Sequence, residues 1–83
     1  MRIMVGEEAF AAIEALHEPI HRRILGALER LEDWPNVSGA KPLRGEFKGC
    51  FRIRCGDWRV VFRPRGEDSI YVLRVDNRRD VYE

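Results

Sequence analysis

CFRIRCGDWRVVF, residues 50–62, decides the fold. Apolar and basic residues alternate on both sides of Gly56-Asp57, and glycine followed by aspartate suits the two-residue turn of a β-hairpin. Such a turn predicts the pairs Cys55–Trp58, Arg54–Arg59, Ile53–Val60, Arg52–Val61 and Phe51–Phe62. One face then carries Phe51, Ile53, Cys55, Trp58, Val60 and Phe62, and the other Arg52, Arg54, Arg59, Val61 and Arg63. The apolar face asks for a cover. The basic face sets Arg54 against Arg59, a like-charge pair that weakens a sheet until an anion meets it.

The surrounding charge follows the same plan. The 83 residues carry a net charge of only +1, but residues 41–65 alone hold a net +6, against −3 for residues 1–40 and −2 for 66–83. A positive excess confined to one block points to a local polyanion site, and 13 of the 15 basic residues are arginine, whose fork suits phosphate. Lys41, Arg44 and Lys48 extend the block ahead of the hairpin and are candidate phosphate contacts.

Length allows a single domain, residues 1–83, with one core, and an apolar content of 45% excludes a disordered chain. No apolar run has membrane-spanning length and the first residues lack the apolar centre of a signal peptide, so a cytoplasmic protein is expected. Cys50 and Cys55 are five residues apart on a predicted strand and point to opposite faces, which precludes a mutual disulfide. Two cysteines without a CxxC pair give no metal site, and no cofactor is expected. His17 and His21 read as surface residues.

Around the hairpin, residues 2–5 suit a short strand. Phe10, Ile13, Leu16, Ile20, Ile24, Leu28 and Leu31 recur at helical spacing, interrupted at Pro19. These predict helices over 7–16 and 19–32, followed by a loop over 33–49 and strands over 50–55, 58–64 and 69–75. The expected fold is α+β, with two N-terminal helices on one face of a small, mainly antiparallel four-stranded sheet. The arginine face is left open.

KPLRGEFKGCFRIRCGDWRVVF (41–62) and VDNRRDVY (75–82), in this order behind two helices, resemble the RelE/ParE toxin superfamily. The resemblance implies a RelE-like toxin of a type II toxin–antitoxin pair, a ribosome-dependent mRNA interferase whose partners are a cognate antitoxin, the ribosome and mRNA. By matching positions it implies Arg59, Arg78 and Tyr82 as catalytic residues, with Arg52 and Arg54 holding RNA phosphates. The implied reaction is metal-independent attack of a ribose 2′-oxygen on the adjoining phosphate, leaving a cyclic phosphate. Some relatives carry lysine where this chain has Arg52 and Arg54, and arginine effectively never gives up its proton. The base for the 2′-hydroxyl therefore falls to Tyr82, to Glu46 or to a group the ribosome supplies. The gyrase-poisoning ParE-like branch, and a relative that binds an antitoxin without activity, are the alternatives.

Overall fold

The hairpin adopts the predicted register. In the computed structural model, which describes residues 1–77, β3 (Phe51–Cys55) and β4 (Trp58–Arg65) pair antiparallel, with Arg54 opposite Arg59 and Cys55 opposite Trp58. Gly56 takes a φ of 64°, and no described non-glycine residue has a positive φ. The turn thus places its left-handed residue first, where glycine has no Cβ to clash.

The sheet has five strands rather than four, in the order β1-β5-β4-β3-β2. β5 (Ser69–Asn77) runs antiparallel to β4, and β1 (Arg2–Val5) joins its far side in parallel. The added strand, β2 (Lys41–Pro42), forms within the predicted loop because Lys41 and Pro42 pair with Arg52 and Phe51 at the sheet edge, where proline's missing N–H is tolerated. The end of the predicted second helix is a 3₁₀ turn, Leu31–Asp33, and the loop contributes another, Gly45–Phe47. Both cysteines are free thiols.

Helices α1 (Glu7–Glu14) and α2 (Ile20–Arg30) cover the apolar face. Ile24, Leu28 and Leu31 are buried as their spacing predicts, together with Ala27. In α1 the buried stripe is Ala9 and Ile13, whereas Phe10, expected inside, is 56% exposed. The small Ala9, fully buried in the shared core, lets the helix approach the sheet closely, and Phe10 is turned outward by one position. Ile53, Val60, Phe62, Val72 and Val75 supply the sheet side of the core, with Trp58 packed at its border. Trp34 closes one end, its ring 4.8 Å from Phe51 and 5.1 Å from Phe62. Burying a side chain such as Phe62 contributes about 1.5–3 kcal/mol, a large share of the small net stability of such a domain.

Candidate nucleic-acid interface

On the face away from the helices, the register brings Arg52 and Arg54 of β3 beside Arg59 of β4, with Lys41 of β2 next to Arg52. This row is less open than the sequence suggests. Arg54 and Arg63 are exposed, but Arg52 and Arg59 are each only 7% exposed. Strand neighbours explain the difference. Arg52 stands between β2 and β4, and Arg59 between β3 and β5, so same-face side chains crowd each from both sides. β2 stops short of Arg54, which is left at a bare edge.

β5 supplies what the sequence reading missed. Asp76 lies opposite Arg59, and its Oδ2 forms an ion pair with Arg74 Nε at 2.8 Å. The Arg54–Arg59 pair is therefore built beside a resident carboxylate. The alternation slips phase inside an apolar run, which hides Asp76 from a reading of the sequence. Val72 and Val75 both face the core although they stand three positions apart, because the β4–β5 register shifts between Val61 and Phe62 and Leu73 is passed over. A bulge of this kind re-aims the residues after it, placing Arg74 and Asp76 on the basic face.

Two grooves flank the row. A shallow one of about 280 Å³ is lined by Lys41, Arg52 and Arg54 together with Ser38, Gly39 and Ile53. Forked and ammonium donors around a cleft of this kind suit phosphate oxygens. A larger groove of about 660 Å³ is lined by Phe47, Tyr71, Leu73 and Arg74, with Gly6, Glu7 and Glu8 at the start of α1. The 3₁₀ turn Gly45–Phe47 thus carries Phe47 to β5, and beyond it the Arg63 guanidinium lies 3.6 Å from where a Cβ on Gly49 would stand.

Arg44 and Lys48 cap the two ends of that turn, exposed, and line neither groove. Glu46, also exposed, sits within the turn rather than in the arginine row. Arg78 and Tyr82 lie outside the described residues. His21 pairs with Glu18 at 3.1 Å on the surface near the helix joint, away from the row. Among the described residues no three His, Cys, Asp or Glu side chains converge as metal ligands, and no described helix is long and apolar enough to cross a membrane.

Comparison with known proteins places this geometry. The family model described as the ParE toxin of type II toxin-antitoxin system, parDE, matches residues 6–82. Toxin RelG of Mycobacterium tuberculosis is 44% identical over 43 residues, which are 51% of this chain and 49% of that protein; the match spans about half the length of this curated relative. The structure of the toxin-antitoxin complex RelBE2 from M. tuberculosis superposes with a TM-score of 0.78 at 25% identity, covering 92% of this chain and 95% of the other. The YoeB/ParE toxin from Agrobacterium tumefaciens gives a TM-score of 0.81 at 18% identity, covering 93% and 98%, a likeness of fold alone. The chain belongs to the ParE toxin family of type II toxin–antitoxin systems, within the RelE/ParE superfamily.

Proposed function

We propose that the protein is the toxin that cuts mRNA on the ribosome, and that the arginine row is where it holds the strand. The observation that carries this reading is the register of Arg52, Arg54 and Arg59 on one sheet face, with Lys41 at its edge. In the proposed reaction the 2′-oxygen of a ribose attacks the adjoining phosphorus, the bond to the departing 5′-oxygen breaks, and a 2′,3′-cyclic phosphate remains. Negative charge grows on the phosphorane, and Arg59, held between neighbouring strands, is preorganised to meet it. Arg52, Arg54 and Lys41 position the flanking phosphates. Arg78 and Tyr82 complete the proposed catalytic set, with the base drawn from Tyr82, Glu46 or the ribosome. The cognate antitoxin neutralises the toxin by laying a segment with acidic and apolar residues over the row. The protein acts in the cytoplasm, where ribosomes and mRNA are found.

A second reading, poisoning of DNA gyrase without RNA cleavage, draws on the ParE description of the matching family. The deciding experiment is cleavage of mRNA on programmed ribosomes, with free RNA as control. Arg59→Ala lowers the rate by roughly 100-fold or more, as does loss of one oriented donor at a reacting centre. Arg59→Lys recovers little, because it keeps the charge and loses the fork. Undiminished cleavage by the alanine variant would remove Arg59 from the site.

A further inference from the structure

The basic face does not end at the row. Phe62 lies in the core, so the next alternate residues of β4, Arg63 and Arg65, project from the open face, opposite Tyr71 and Ser69 of β5. β1 adds to this end of the sheet. Its Ile3 and Val5 pack on the core, which leaves Arg2 and Met4, in register with Ser69 and Tyr71, on the open side. Arg2, Arg63 and Arg65 are all exposed. They form a second cationic cluster at the other end of β4 from Arg59.

The two clusters differ in how their charge is met. The row holds Asp76, paired with Arg74, whereas the strands around the second cluster place no carboxylate on the open face. Among the described residues, Arg2, Arg63 and Arg65 make no ion pair, and Glu67 and Asp68, in the turn after Arg65, do not reach it. Uncharged neighbours hold the guanidinia instead. Arg63 lies beside Gly49, and Arg65 stands 4.7 Å from the Tyr71 ring centroid. Exposed forks with no resident acid are open to phosphate oxygens.

The line of β4 joins the clusters. Between Arg59 and Arg63 it offers the open face only Val61, buried and flanked by Arg52 and Arg74, so no carboxylate on β4 interrupts a chain of phosphates laid along it. The far end also suits a single strand better than a duplex. Tyr71, with Arg65 against its ring and the exposed Met4 beside it, gives an unstacked base a surface to rest on, and a duplex keeps its bases stacked inside.

Resting on the RNA reading above, we propose that Arg63 and Arg65 are a second phosphate subsite, which holds the mRNA strand beyond the nucleotides at the cut. A strand rises about 3.3 Å per residue, which sets these arginines roughly 13 and 20 Å along β4 from Arg59. At about 3.4 Å per stacked nucleotide that is on the order of four to six nucleotides from the cut, and fewer where the RNA is stretched. The subsite meets backbone rather than base edges, so it adds affinity without sequence preference and acts on KM rather than kcat.

The test uses ribosomes programmed with mRNAs in which one phosphate at a time, from about two to six nucleotides on either side of the cut, is replaced by an uncharged methylphosphonate. In the unaltered protein, replacement at one or two of these positions raises KM about two- to five-fold, the effect of losing one exposed ion pair. In Arg63→Ala with Arg65→Ala, both exposed positions, KM for unmodified mRNA is already raised and the same replacements add nothing. Contacts made by the ribosome are common to both proteins and cancel. Arg63→Lys with Arg65→Lys keeps both charges and retains the sensitivity. Replacements that act in full on the alanine variant overturn the subsite. So does an unaltered protein indifferent to every replacement; a raised KM in the alanine variant would then assign the cluster to ribosomal RNA. Cleavage that still depends on Arg59 leaves the RNA reading standing in both cases, and failure to cut unmodified mRNA overturns both proposals.

Discussion

At the scale of single residues, Asp76 explains how a small domain tolerates two arginines facing each other across a hairpin. Its carboxylate stands opposite Arg59 and pairs with the Arg74 guanidinium, so the row is partly neutralised before any ligand arrives. Asp76→Asn accordingly has two opposite effects. Loss of the ion pair with Arg74 lowers stability by about 1 kcal/mol, which for a domain this small is a drop of roughly 4–8 °C in Tm. Loss of a negative charge from the row tightens RNA binding. Thermal unfolding and binding at fixed salt read the two separately, and a variant unchanged in both would deny Asp76 this part. The arginines themselves were legible from alternation alone. Asp76 was not, because the bulge at Leu73 shifts the alternation within an apolar run that conceals the slip.

The hairpin is the element on which the site depends. A register slip of one residue would turn every arginine of one strand toward the core, so the turn that fixes the register also fixes the site. Gly56, at a φ of 64°, holds that turn. Gly56→Val forces a β-branched residue into a left-handed conformation and costs about 1–3 kcal/mol, which chemical denaturation measures. If the register holds under that load, Arg59-dependent cleavage persists at low temperature. A variant as stable as the parent would show that the turn does not set the register. The pairing of β3 with β4 was readable because composition and turn chemistry agree there. β2 was hidden since two residues at an edge leave no periodic pattern, and Phe10 was misplaced because Ala9, small and weakly apolar, took the buried position.

For the whole molecule, helices close one side of the sheet and leave the basic row on the other, a division already visible in the concentration of charge within residues 41–65. Fold and family were thus open to sequence reasoning, whereas the burial of Arg52 and Arg59 depended on which strands flank them. If the row binds a single strand by its phosphates, binding weakens linearly in log–log terms as salt rises. Arg54→Ala and Lys41→Ala each flatten that slope by about 0.7, the contribution of one phosphate contact. A slope unmoved by both would place the strand elsewhere. The most direct test of the central claim is to induce the protein in cells without its antitoxin and map mRNA 5′ ends and gyrase-linked DNA breaks in the same culture. New 5′ ends within translated frames, lost in Arg59→Ala, are expected, with no accumulation of breaks. Growth arrest with intact mRNA and trapped gyrase would contradict it.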